Sequence, residues 1–135
     1  MIETVQLGGT DKQLYQLVAP LVMNPEVLKQ NYNFPFRTKE SFVWFIALEN
    51  EEVLGFIPVE NRKYNAVINN YYVKNKDSHV LELLLNEIVK TIGNIKELVA
   101  VSFLEDRETF LGVNFKEEKQ WTRYIRMIRN ASNNE

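Results

Sequence analysis

Apolar and polar positions alternate over residues 3–7, as on a half-buried strand, and Gly8-Gly9 interrupts the alternation. Beyond it Leu14, Leu17, Val18 and Leu21 recur at helical spacing, with Thr10 or Asp11 in position to cap the helix. Pro20 lies inside this pattern, where a missing N–H and a steric clash predict a kink or a split. Asn24-Pro25-Glu26 predicts a second start, with the proline at the first helical position. That short helix carries Val27 and Leu28 and reaches toward Tyr32; Phe34-Pro35-Phe36 ends it, and one more turn is expected over residues 38–42.

The pattern then changes period. Residues 43–49 are rich in strand formers, residues 50–52 are a polar turn, and residues 53–60 read as the return strand of a hairpin. Pro58 cannot donate to a ladder, so it marks an edge, an end or a bulge. After a polar turn, residues 65–73 predict a third strand, with Ala66, Ile68, Asn70 and Tyr72 on one face and Val67, Asn69, Tyr71 and Val73 on the other. A short polar loop, residues 74–77, leads into a helix whose inner face holds Leu81, Leu85, Ile88 and Ile92, with Gly93-Asn94 as its C-cap. Residues 98–103 form a nearly continuous apolar run, as on a strand covered on both faces. Residues 105–111 suit a short helix with Gly112 just past it. Phe115 starts a strand, and residues 121–128 form the last one. The order is strand, helices, three antiparallel strands, helix, strand, helix, two strands. That is an α+β domain with a mixed sheet, and it includes an anion-site geometry, a strand running through a basic loop into free helical N–H groups.

Composition narrows the chemistry. At 135 residues the chain fits one domain, residues 1–129, with residues 130–135 expected to fray as a disordered tail. It has no cysteine and one histidine, which excludes disulfides, thiol nucleophiles and multi-histidine metal sites within one chain; no metal is expected. A net charge of -2 argues against nucleic acid as an obligate partner. With no apolar run of spanning length and no signal-peptide start, the reading is a cytoplasmic protein without a membrane segment.

The hairpin of residues 44–60 with Gly55-Phe56, the Tyr71-Tyr72-Val73 strand and its helix, the run at 98–103 and the corner Phe110-Leu111-Gly112-Val113-Asn114-Phe115 together resemble the GNAT-type N-acetyltransferases. The resemblance covers nearly the whole chain. It implies a central, mostly antiparallel mixed sheet of six to seven strands with helices on both faces and a splay between the fourth and fifth strands. Acetyl-CoA would thread that gap, with pantetheine beside Tyr71, Tyr72 and Val73 and the pyrophosphate over residues 76–80. The loop departs from the family's Arg/Gln-x-x-Gly-x-Gly/Ala signature: Lys74-Asn75-Lys76-Asp77-Ser78-His79-Val80-Leu81 has no glycine and is shorter. Phe110 stands where the family often has a tyrosine acid, and Asn114 where glycine is usual.

Each candidate residue has a plain alternative. Glu60 or Glu105 is a candidate base, or a solvated strand end and a helix-start carboxylate respectively. Tyr124, with Tyr71 and Tyr72, is a candidate acid for the thiolate, or packing. Lys74, Lys76, Ser78 and His79 are candidate phosphate ligands, or surface residues. Asn69 and Asn70 line a pocket or pair with a bulged backbone. Tyr32 and Phe34 line the acceptor pocket or pack their loop. Trp44, Phe45, Phe56 and Trp121 read as core. The expected partner is a small-molecule or peptide amine, with the final strand open to pairing in a homodimer. The alternative is a GNAT-like domain that binds or interacts without catalysis.

Overall fold

The computed structural model describes residues 1–131; the part of the expected tail from residue 132 lies outside the described residues. Among the described residues eight strands form one sheet in the order β1-β2-β3-β4-β6-β8-β7, with β5 beside β3. They are β1 (Glu3–Gly8), β2 (Phe42–Glu49), β3 (Glu52–Asn61), β4 (Asn65–Asn69), β5 (Tyr72–Val73), β6 (Glu97–Phe103), β7 (Lys116–Gln120) and β8 (Tyr124–Arg129). Helices α1 (Lys12–Val22) and α2 (Pro25–Gln30) cover one face, and α3 (Ser78–Ile88) and α4 (Arg107–Gly112) the other. Among the described residues no helix is long and apolar enough to cross a membrane.

The helix starts match the expected chemistry. Asp11 accepts from the Gln13 N–H and Asn24 from the Glu26 N–H, both at 2.8 Å. Pro20 does not split α1, which runs through it and stops two residues later, so few hydrogen bonds depend on the missing donor. The turn expected over residues 38–42 is a single one, closed by the Phe42 N–H on the Lys39 carbonyl at 2.9 Å. Phe42 then opens β2, and Thr38 Oγ1 donates to the Gly9 carbonyl (2.8 Å) and accepts from Trp44 Nε1 (2.9 Å). The β2–β3 turn is tighter than expected: Asn50 and Glu51, both at positive φ, form a two-residue connection and Glu52 already pairs with Glu49.

The third hairpin strand is not continuous. Val59 pairs with Ile68, and Phe56 with Tyr72. Between these pairs Ile57 and Pro58 on β3 face Asn69, Asn70 and Tyr71, one residue more. This is a β-bulge, with Asn70 left-handed at φ 65°. Pro58 sits where β3 has no ladder partner on that side, which is why a proline is tolerated mid-strand. The extra residue reverses the side-chain alternation. Tyr71 and Val73, not Asn70 and Tyr72, join Ala66 and Ile68 in the core under α3, and Tyr72 packs under α1. Gly55 lets β5 in: a Cβ there would lie 2.8 Å from the Tyr72 carbonyl oxygen.

Leu81, Leu85, Ile88 and Ile92 are buried as expected, with Leu84 beside them, but Gly93 is no left-handed cap. It ends a wide turn (Val89–Gly93), and its missing Cβ admits the Arg129 guanidinium, 3.2 Å from where that atom would stand. Arg129 is buried. Its Nε donates to the Val113 carbonyl and Nη1 to that of Gly93, both at 2.9 Å. One cation thereby closes the carbonyl ends of both helices on this face. Trp121 is not core: it is exposed, in the turn before β8, with the Lys119 ammonium over its ring. The final strand is not an edge either, because β7 folds back beside it. The edge on this side, β7, is exposed and highly charged, a pattern that discourages pairing with another chain.

Arg129→Met should cost about 3 kcal/mol in urea-induced unfolding, because two buried carbonyls lose charged donors at once. A loss within experimental error would show that water reaches those carbonyls.

Candidate acyl-donor groove and acceptor cleft

The bulge opens the sheet. Parallel β4 and β6 pair from Asn65↔Glu97 to Asn69↔Val101 and no further. Beyond it β5 stays with β3 while β6 continues with β8 through Phe103↔Tyr124. The two halves of the sheet diverge at their C-terminal ends, and the first turn of α3 lies over the opening. Asn31, buried at the end of α2, holds the bulge: its Nδ2 donates to the Asn70 side-chain oxygen (3.1 Å) and to the Phe34 carbonyl (2.9 Å).

Side chains bridge the opening. Tyr71 is buried. Its hydroxyl donates to Asp106 Oδ2 at 2.5 Å and accepts from the Phe103 N–H at 3.1 Å, spanning from the bulge to β6. Burial, then the Asp106 charge, pushes the Tyr71 phenol well above its ordinary range. Burial also lifts the Asp106 carboxyl, against the Tyr71 hydrogen bond that lowers it. A cavity of about 20 Å³ remains between Tyr71, Val73, Lys76, Asp77, Phe103 and Asp106, room for about one water.

The loop before α3 adopts left-handed backbone without glycine, at Asn75 (φ 58°) and Lys76 (φ 52°). Asp77 caps α3 by accepting from the His79 N–H at 2.9 Å, so one N–H of the expected anion site already has a carboxylate partner. Lys76 Nζ lies 2.8 Å from Glu105 Oε2, and that carboxylate holds the ammonium above the usual lysine range. Lys74 is elsewhere, paired with Glu52 beside Tyr72 on the α1 side. Ser78 and His79 are exposed at the start of α3.

The ring of Tyr32, just past α2, meets those of Phe103 on β6 and Tyr124 on β8, and the three stand 5.7–5.9 Å apart. Tyr32 is left-handed (φ 54°), and the Arg123 guanidinium lies 4.5 Å from its ring centre. Burial raises the Tyr124 phenol, with Tyr32 adding to the effect. Phe34 is exposed, and Phe110 is fully buried 5.9 Å from the Tyr71 ring, a core residue with no hydroxyl to offer. Asn114 is left-handed at φ 75°, as the corner requires.

A second depression, about 160 Å³, lies on the α1–α2 face and is lined by Arg37, Phe42, Pro58, Glu60, Arg62, Val67, Asn69 and Asn70. Glu60 pairs across the sheet with Phe42 and Val67, so these share a face, opposite to Ala66 and Ile68 under α3. The predicted residues therefore divide between two faces. Tyr71, Val73, Lys76 and Glu105 surround the opening on the α3 side. Glu60, Asn69 and Asn70 share the cleft on the other side, and the bulge joins the two. Sequence reasoning missed Asn31, Phe103, Asp106, Arg37 and Arg62. Only Asn31 left a trace, a polar residue just past a short helix. Among the described residues no cluster of three or more His, Asp or Glu side chains is arranged to hold a metal.

No family model and no curated protein matches the sequence. Solved structures do. Escherichia coli ElaA superposes with a TM-score of 0.72 at 17% identity, over 96% of this chain and 100% of that one. The ribosomal-protein-S18-alanine N-acetyltransferase of Escherichia coli gives 0.74 at 14% identity, over 100% and 97%. The Campylobacter jejuni N-acetyltransferase PseH, solved in complex with acetyl coenzyme A, gives 0.60 at 16% identity, over 98% and 100%. The chain has the GNAT acetyltransferase fold over its described length, in agreement with the sequence resemblance, with eight strands because the bulge divides one of them.

The Tyr71 bridge is open to direct measurement. Tyr71→Phe should lower stability by roughly 1–3 kcal/mol, since it strips the Phe103 N–H of its acceptor and Asp106 of its donor; chemical denaturation measures it, and an unchanged midpoint refutes the bridge. Because Asp106 is raised, the folded state holds its proton more tightly than the unfolded chain does. Its favourable contribution is complete below about pH 4 and is lost as pH rises through the folded value. Asp106→Asn should therefore gain stability relative to the parent as pH rises above about 4, the ordinary aspartate range. A pH-independent difference would contradict the raised carboxyl.

Proposed function

We propose that this chain is an N-acyltransferase that moves an acetyl group from acetyl-CoA to an amine by direct attack. The observation that carries the reading is the bulge-driven divergence of β5 from β6 beneath the N-terminus of an eleven-residue helix. Backbone N–H and C=O groups along Tyr71, Tyr72 and Val73 that do not bond β3 face that opening, an edge suited to an amide-bearing arm. Acetyl-CoA bound to PseH on the same fold supports the choice of donor.

The fit holds for the backbone and requires a side-chain change at the mouth. The N–H groups of Ser78 and His79 and the Lys76 ammonium are the groups to hold a diphosphate, once Lys76 leaves Glu105 and Asp77 yields the His79 N–H. Tyr71 would likewise swing from Phe103 to admit the arm. Acetyl-CoA supplies the acetyl thioester: a C–N bond forms as the C–S bond breaks, the amine loses a proton and the departing sulfur gains one. Glu60, in the cleft with Asn69 and Asn70, is the residue to take the amine proton. Tyr124, whose pairing with Phe103 marks the end of β6 and whose phenol burial raises, is the residue to donate one. Glu105 acts at the mouth, through Lys76. Tyr32 and Phe34 border the acceptor side, and Lys74, tied to Glu52, lies outside the phosphate site. The sequence has no cysteine, so no acyl-cysteine route competes.

A second reading, a GNAT-fold binding module without transfer, draws on one observation: Asp77 and the Lys76–Glu105 pair occupy the positions a diphosphate needs.

Thermal melting separates the two. Acetyl-CoA at a hundred times its dissociation constant should add about 2.7 kcal/mol, roughly 10 °C for a domain of this size. No shift at millimolar acetyl-CoA selects the second reading. Under the first, Glu105→Gln should tighten acetyl-CoA binding about fivefold by freeing Lys76, while Lys76→Glu weakens it; calorimetric titration of both variants checks this, and equal affinities remove Lys76 from the site.

A further inference from the structure

The proposed transfer leaves the acceptor unnamed, and the chemistry of the second cleft, taken together with that reading, narrows its class. The cleft on the α1–α2 face has an uneven charge. Arg62 Nη2 donates to Glu60 Oε1 at 2.9 Å, and Lys39 Nζ lies 3.6 Å from Glu60 Oε2. Arg37 lines the same cleft and, among the described residues, has no ion-pair partner. Three cations thus gather around one carboxylate in a chain of net charge -2. Glu60 is mostly covered, its side chain 21% exposed, and both of its oxygens already face cations. Arg37 is the exposed, uncompensated charge at the rim.

The position of this charge matters as much as its sign. Asn69 and Asn70 line the same cleft, and they lie at the bulge where β4 parts from β6. An anion held by Arg37 would therefore lie on the face away from α3, beside the place where the sheet opens. The planar guanidinium of arginine matches carboxylate and phosphate oxygens in pairs, which a lysine cannot do. We propose that the acceptor is an amine that also carries an oxyanion, a carboxylate or a phosphate, and that Arg37, with Arg62 beside it, recognises that group. This assignment rests on the transferase reading. Glu60 offsets part of the cleft's charge, so a ligand without an oxyanion leaves Arg37 uncompensated.

Backbone amide signals of the nitrogen-15-labelled full chain, titrated without acetyl-CoA, test this. The probes are the tripeptide amides Ala-Gln-Gln, Ala-Glu-Glu and Ala-phosphoserine-Gln. Acidic peptides should shift the signals of Arg37, Glu60, Arg62, Asn69 and Asn70 and bind about fivefold tighter than the neutral one. Arg37→Gln should remove the preference, and Lys119→Gln, on the distant edge strand β7, should leave it intact. Preference for either acidic peptide supports the proposal, and the tighter of the two identifies carboxylate or phosphate. Equal affinity for all three, or a preference that survives Arg37→Gln, overturns it. The titration contains no thioester, so its failure is distinct from a failure of the melting shift with acetyl-CoA.

Discussion

One extra residue in one strand governs this molecule. Where Ile57 and Pro58 face Asn69, Asn70 and Tyr71, the ladder cannot keep register, and the backbone leaves β6. The departure is held from several sides. Asn70 accepts the left-handed conformation at modest cost, Asn31 grips its side chain from the end of α2, and Pro58 offers no N–H that could pull the strand back. Gly55 then lets β5 rejoin β3. Each of these residues suits the displaced path better than a straight strand.

The bulge has two effects that run in opposite directions. It separates the strands, which makes a groove. It also turns Tyr71 toward α3, and the hydroxyl of Tyr71 reaches the Phe103 N–H across that groove. A buried N–H without a partner is costly, so a splayed sheet needs something in the gap. Tyr71 answers that need within the chain, and its own buried hydroxyl is satisfied by Asp106. The same logic holds at the helix mouth, where Asp77 and Glu105 supply the negative charge that an N-terminus and a lysine attract. The groove is therefore internally satisfied, and a ligand there must exchange partners with Tyr71, Asp77 and Glu105.

Much of the fold is legible in the chain. Leu81, Leu85, Ile88 and Ile92 mark α3 by their spacing, Asp11 and Asn24 mark helix starts by their side-chain chemistry, and the hairpin arises from two β-rich runs around a polar turn. The candidate site is legible only in outline. Period-two reasoning places Asn70 and Tyr72 with Ala66 and Ile68, and it fails because no local signal counts the residues of the opposing strand. Size alone assigns Trp121 to the core, yet a tryptophan in a turn can cover a lysine in solvent instead. Position marks Gly93-Asn94 as the end of the helical turns, which it is, but does not show that the missing side chain of Gly93 leaves room for Arg129, thirty-six positions away along the chain.

The division has a physical basis. Helix faces, caps and hairpin turns arise from forces between residues a few positions apart, so the order of residues alone specifies the elements, their sequence and the class of fold they build. Charge pairing and gap filling depend on contacts between distant segments: Lys76 with Glu105, Tyr71 with Asp106, Lys39 with Glu60. Those contacts exist only after the sheet has closed around its bulge. A lysine in a loop reads the same whether it awaits a phosphate or already holds a carboxylate, and three-dimensional packing alone tells them apart.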